Sequence, residues 1–373
     1  MKFTVSSSDF LKKTVIASSV IPSNPMMPIL EDFLLELNGN ELKLTVSDLE
    51  TTIFSTLEVQ GHEDGKIAVR GKILSDTLKA IPDQPVQFTK EEDSNVLVIQ
   101  TNNGEYKLAC DDFEEFPEIP DTQISQSVEI PIQTMKKGIE NTIFATSNDE
   151  MRQAMMGVYI SIEQDKLVFV ATDAHKLVKY TFFDVRSEVE GSIIIPKKSL
   201  ALVNLALEGN GTAQLNFSSS HVFIQSGNTE IACRLIDATF PNYNGVIPTN
   251  NHNILTIQRK ALLNSLKRIS IYANKSTNQI VLDLQKDKIE IQAQDLDYSN
   301  EAHETLPCQY SGDEMQIAYN SKFLIEMLGV LDSDDVMFEM STPNRASLLL
   351  PSSTAEDEDL LMLVMPVMVK QNT

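Results

Sequence analysis

Apolar and polar positions alternate along much of the chain. The segment LELNGNELKLTV, residues 35–46, is two alternating runs around an Asn-Gly-Asn turn, the pattern of a β-hairpin. VYISIEQDKLVFVATD (158–173) and IVLDLQKDKIEIQAQD (280–295) repeat that plan with charged turns. Helical spacing of apolar residues is confined to six short windows, 9–20, 70–81, 131–144, 197–207, 257–271 and 320–331, whose starts are 60 to 66 residues apart. The chain therefore reads as mostly antiparallel strand, punctuated by one helix about every sixty residues.

A longer period is superimposed on this one. Apolar strands ending in a short polar residue and an aspartate occur as LKLTVSD, LVFVATD and IEIQAQD, and Asp48, Asp173 and Asp295 stand 125 and 122 residues apart. A second anchor agrees for the first two copies: KLAC followed by FPEIP (Cys110, Phe116, Pro117) matches EIAC followed by FPNYNGVIP (Cys233, Phe240, Pro241) at offsets of 123 and 124. Fixed periods of this kind mark repeat architectures. Three domains are expected, 1–122, 123–250 and 251–373, each a duplicated unit of sheet plus one helix.

Charge sharpens the picture. The 373 residues carry 30 Lys and Arg against 53 Asp and Glu, a formal net charge of −23. Taken whole, such a chain repels polyanions. Divided by element it does not, because the six helical windows hold 14 basic and 4 acidic residues, while the remainder holds 16 and 49. A net +10 is segregated onto the helices. One account is ordinary solvent-facing Lys and Arg on amphipathic helices. The same bias in six windows favours a shared basic surface able to neutralise phosphates without reading bases.

Little points to catalysis. The five histidines, at 62, 175, 221, 252 and 303, are isolated, and no HExxH, GxSxG, phosphate-binding glycine loop or Cys/His metal spacing occurs. His175 in TDAH lacks a nucleophile motif, and DDFEE (111–115) and AEDED (355–359) read as solvated loop carboxylates. Three cysteines cannot complete a disulfide framework, and no apolar run of about 18 residues is present, so a cytoplasmic protein without metal or cofactor is expected.

MKFTVSSSDFLKK at the start, MMPILEDFLLEL, VATDAHKL, FPNYNGVIP and the terminal VMPVM resemble, in order and over essentially the whole chain, the bacterial DNA polymerase III beta subunit, the sliding clamp family. The resemblance implies an α+β fold of three repeated clamp domains, each with antiparallel sheets outside and two helices inside. It implies a homodimer closing head to tail as a ring on double-stranded DNA, and a non-catalytic processivity role. Its implied partners are the replicative polymerase, the clamp loader and repair or translesion polymerases, which bind through a short peptide motif.

Spacing supports the dimer independently. Six helices packed about 9 Å apart would line a ring with roughly 9 Å clear, narrower than the about 12 Å of a major groove alone, whereas twelve leave about 28 Å.

Candidate phosphate contacts are Lys12, Lys72, Lys79, Lys136, Lys198, Lys267 and Arg268; family DNA contacts fall by motif on Asn24, Lys72, Asp149 and Gln153, and an aspartate at 149 is unsuited to phosphate. The resemblance places a partner-peptide groove on Met155, Thr172, His175, Lys176, Leu177, Pro241, Val246, Asn320, Phe323, Met365, Pro366, Val367 and Met368. It places the dimer contact on Tyr106, Leu108, Ile271 and Tyr272. Departures from the family pattern are Ala174 and Lys176 for the usual Gly and Arg, Gly245 where some members carry Arg, and the VKQNT tail. The competing reading is an acidic, repeat-built protein-interaction scaffold that does not encircle DNA.

Overall fold

The computed structural model describes residues 1–91, 94–118 and 126–368, so the expected boundary at 122 and the VKQNT tail lie outside the described residues. Among the described residues six α-helices form where apolar residues recur every three or four positions: α1 Ser7–Ser18, α2 Gly71–Ala80, α3 Ile132–Thr142, α4 Lys197–Ala206, α5 Arg259–Ile269 and α6 Ser321–Val330. Each begins directly after a strand. Ser6 caps α1 by accepting from the Asp9 amide, and Asn320 caps α6 by accepting from the Lys322 amide.

The chain forms two compact units, Met1–Lys136 with Lys198–Leu235, and Lys137–Lys197 with Ile236–Thr373. They cut across the three sequence repeats because sheets continue from one repeat into the next. In the first unit one antiparallel sheet of thirteen strands runs from Gln126–Pro131 to Gln60–Glu63, and the repeats join where Thr229–Arg234 pairs with Thr51–Glu58. In the second unit a nine-stranded sheet joins two repeats where Lys176–Phe182 pairs with Glu358–Val364, and a four-stranded sheet stands beside it. All of these ladders are antiparallel.

Burial departs from simple alternation in the first two repeats. Leu167–Thr172 is buried at every position, and Asp32–Asn38 at five of seven. The cause is a cover on the sheet face away from the helices. Phe116 packs on Ile29, Leu34 and Ala68, while Phe240, Tyr243 and Ile247 pack on a cluster of Val168, Val170, Leu177, Leu348 and Leu363. The recurring FP segments are those covers. The third repeat has no such segment, and its strands Gln279–Gln285 and Lys288–Asp295 keep the alternation.

The recurring aspartates are turn residues. Asp48 Oδ1 accepts from the amides of Glu50 and Thr51 at 3.1 and 2.7 Å, and Asp173 Oδ1 accepts from those of His175 and Lys176, both at 2.9 Å. The residue after each is left-handed, Leu49 at φ 75° and Ala174 at φ 73°. A carboxylate that closes such a turn explains why Asp recurs there. Asp295 is buried and accepts from the Asp297 amide.

One seam in the first unit carries buried charge. The strand Glu105–Asp111 meets Gly65–Arg70 only at Ala68↔Asp111 and Val69↔Cys110. Beside it Asp32, 0% exposed, has no hydrogen bond to either carboxylate oxygen; Arg70 Nε stands 3.4 Å away and shares its guanidinium with Glu31 and Asp111. Burial, and then the neighbouring Asp111 carboxyl, push Asp32 up to about 7.

Candidate functional site

The helix lysines and arginine expected on DNA fall into two classes. Lys72 and Lys79 are exposed on one face of α2, seven residues apart, and have no ion pair among the described residues; the same holds for Lys267 on α5. Lys260, seven residues before Lys267 on that face, belongs with them. Its spacing within a helix of four basic residues was the signal for it.

The other expected contacts are engaged internally. Lys12 is bound to Asp9 at 2.9 Å, which holds its ammonium above the ordinary value. Lys136 donates to the Leu207 carbonyl at 3.2 Å, Lys198 is paired with the largely buried Asp48, and Arg268 forks onto Glu304 at 2.7 and 2.6 Å. That fork holds Glu304 below the usual carboxylate range. Asn24 is exposed in the loop after α1, and Asp149 caps the short helical segment Glu150–Met156 through the Met151 amide. Free charge on the helices is thus uneven: α2 and α5 each present two exposed ammonium groups without an ion pair among the described residues, and α6 presents Lys322.

Two cavities of the second unit have Arg152 on their walls. One, of about 430 Å³, is polar and lined by Phe144, Arg152, His175, Lys176, Lys197 and Phe323 among others. The other, of about 510 Å³, lies between Met151, Gln153, Met155, Thr239 and Pro241, again with Arg152 on its wall. Arg152 is positioned by a kink (φ −116°, ψ 56°) and by Asp149, 3.3 Å from its Nε.

The Asp173 turn builds the floor of the polar cavity. Thr172 donates its hydroxyl to the Lys176 carbonyl at 2.7 Å, and the His175 ring stacks on Phe323 at 6.2 Å and 19°. The Lys176 side chain is only 6% exposed; its ammonium lies 2.8 Å from Asp173, 3.2 Å from Glu326 and 4.5 Å from the centre of the Phe323 ring. The C-terminal segment lies across this turn, the Met365 amide donating to the His175 carbonyl and that of Val367 to the Ala318 carbonyl, both at 2.8 Å.

The expected groove residues therefore divide. His175, Lys176 and Phe323 line the polar cavity, and Met155 and Pro241 line the other. Gln153, expected on DNA, stands beside Met155. Thr172 and Leu177 are buried beneath, Asn320 is used as the cap of α6, Val246 is exposed on its own short helix, and Met365, Pro366 and Met368 remain accessible. Sequence reading did not single out Arg152, Phe144, Lys197 or Glu326 as groove residues; only their proximity in the fold identifies them.

Two of the open strand edges lie beside the residues expected at the dimer contact. Glu105–Ala109 pairs with Val96–Gln100 on one side only, and Asn300–Pro307 pairs only with Lys288–Asp295. Tyr106 is exposed on the first strand and Leu108 is mostly buried there; Ile271, 65% exposed, and Tyr272 sit in the short helix beside the second. Open edges flanked by apolar side chains invite pairing with another chain.

Some of the loop carboxylates have partners within the chain, and Glu114, Glu115, Glu356 and Asp357 are exposed as expected. Asp112 caps Phe113–Glu115, and Glu358 takes the Lys137 ammonium at 2.6 Å and the Tyr180 hydroxyl at 2.5 Å. No group of three metal-ligating side chains, and no helix long and apolar enough to cross a membrane, occurs among the described residues.

Three family models match in order: the DNA polymerase III beta subunit N-terminal domain over residues 1–120, its central domain over 129–242 and its C-terminal domain over 244–368. The beta sliding clamp of Synechococcus elongatus is 27% identical over 381 residues, covering 99% of this chain and 100% of that protein; that of Haemophilus influenzae is 26% identical over 370 residues, covering 98% and 100%. The crystal structure of the Pseudomonas aeruginosa DNA polymerase III subunit beta superposes with a TM-score of 0.93 at 25% identity over 99% of this chain and 100% of that one. A structure of that clamp bound to griselimycin gives the same values.

Proposed function

The chain belongs to the DNA polymerase III beta subunit family, and on that premise we propose that two copies close head to tail around duplex DNA and hold replication enzymes there through a peptide groove. It is a DNA sliding clamp, a tethering subunit rather than an enzyme. The observation that carries the mechanism is the full-length match to three clamp domains in order, joined to open strand edges and unpaired basic groups on the helices.

The three repeats are taken as 1–122, 123–250 and 251–373. Ring closure uses two of the open edges: Tyr106 and Leu108 of one protomer meet Ile271 and Tyr272 of the other, and Glu105–Ala109 adds to the edge of Asn300–Pro307. Topology then retains the ring, so its lining needs only weak phosphate contacts that permit sliding. Lys72, Lys79, Lys260 and Lys267 supply them first. Lys12, Lys136, Lys198 and Arg268 must release an internal partner to do so, and Asn24 and Gln153 contribute neutral polar contacts. The acidic remainder discourages DNA from other surfaces.

The cavities beside Arg152 take a peptide from the replicative polymerase, the clamp loader or a repair or translesion polymerase in turn. An apolar side chain fits the Met155 and Pro241 cavity, whose methionines adapt to different shapes, and a polar one fits the cavity walled by His175 and Phe323. Griselimycin is expected to compete. The protein is expected to act in the cytoplasm with the replication machinery. The deciding experiment loads it onto a nicked circular duplex and then linearises the circle: a ring slides off the ends, and retention on the linear form refutes encirclement.

A further inference from the structure

We propose that Lys176 is a positioning residue that fixes Phe323 as the wall of the polar cavity and so sets how tightly the groove holds a peptide; this rests on the groove reading above. The ammonium is almost wholly withdrawn from water, at 6% exposure, a costly placement unless its partners are well arranged. They are arranged across two elements. Asp173 belongs to the turn that also presents His175, whereas Phe323 and Glu326, one helical turn apart, belong to the start of α6. With its charge between two carboxylates and over the Phe323 ring at 4.5 Å, Lys176 ties turn to helix. The His175 ring stacks on the same phenyl group, so two neighbours in one turn hold Phe323.

Asp173 Oδ1 is bound to backbone amides independently of the lysine, so the turn survives replacement of the side chain. What Lys176→Met removes is the tie to Phe323. Lys176 is turned inward toward its own carboxylates, and its effect on a peptide passes through the phenyl wall.

The test uses the full-length dimer and labelled peptides tiling the replicative polymerase, the tightest binder serving as probe. Lys176→Met is expected to weaken binding about tenfold, within the range that a desolvated cation–ring contact supplies. Lys176→Arg, which keeps a cation over the ring, is expected to restore most of it. Phe323→Ala weakens binding, and adding Lys176→Met to it produces no further loss, because the lysine acts through the ring. Circular dichroism and loading on nicked circles check folding. The proposal is overturned if Lys176→Met binds normally while Phe323→Ala does not, if the two losses add, or if Arg fails to rescue a folded protein. If neither Phe323→Ala nor Met155→Ala affects binding, the groove reading itself falls and takes the proposal with it.

Discussion

Lys72 and Lys198 are both exposed helix lysines, and the structure predicts opposite behaviour for them. Lys72 has no ion pair among the described residues, whereas Lys198 is paired with Asp48, whose side chain is 5% exposed. Each phosphate neutralised by a protein cation contributes about 0.9 to the slope of log K against log salt. A ring contains every residue twice, so Lys72→Ala should flatten that slope by up to about 1.8. Over a fourfold rise in salt, wild type would then lose about tenfold more affinity than the variant. Lys198→Ala should leave the slope nearly unchanged, because its charge is already balanced within the protein. Asp48→Asn, which releases Lys198, should steepen it. The assay is fluorescence anisotropy of a labelled duplex titrated with the dimer at a series of potassium chloride concentrations. Equal flattening by Lys72→Ala and Lys198→Ala, or no change with Asp48→Asn, would refute the division between free and engaged lysines.

Two further predictions concern stability. Asp32 has its folded value raised from 3.8 to about 7, so the fold favours its protonated form; that contribution is full below about pH 4 and is lost as pH rises through 7. Asp32→Asn does not titrate, and its stability relative to wild type should grow by about 2–3 kcal/mol between pH 5 and pH 8 in urea unfolding, a gap whose absence would remove the buried carboxyl from the account. Ala174→Gly and Leu49→Gly each relieve a left-handed residue in corresponding turns of two repeats, and each should stabilise by about 1 kcal/mol in the same measurement; destabilisation by either would show that the side chain supplies more than the strain costs.

All six helices were legible from apolar spacing because each is short, follows a strand directly and buries one stripe. The hairpin at Asn38–Glu41 was legible too, with Gly39 at φ 58° where the chain reverses. Continuous burial of Leu167–Thr172 was not, because alternation presumes one wet face and the cover comes from Phe240 and Tyr243, some seventy residues on. The pairing of charges was equally hidden. Lys198 and Asp48 are 150 residues apart, and Arg268 and Glu304 are 36 apart, so a count of basic residues on helices could not say which were free. In the groove, resemblance indicated His175, Lys176 and Phe323, while Arg152 stood out only once both cavities were seen to share it.

The duplicated turn is used in two ways. Asp48 and Asp173 close their turns with one oxygen in the same way, and both use the other to hold a lysine. In the first repeat the cation is Lys198 on α4, 59% exposed, and the ion pair joins turn to helix. In the second it is Lys176 from the turn itself, which bends inward, engages Glu326 and the Phe323 ring, and leaves Lys197 among the groups lining an open cavity. The aspartate therefore preserves a backbone shape common to both repeats, while the source of the cation separates a joint between turn and helix from a wall of the polar cavity. Substituting either aspartate would test the shared turn; Lys176 alone tests what is particular to the groove.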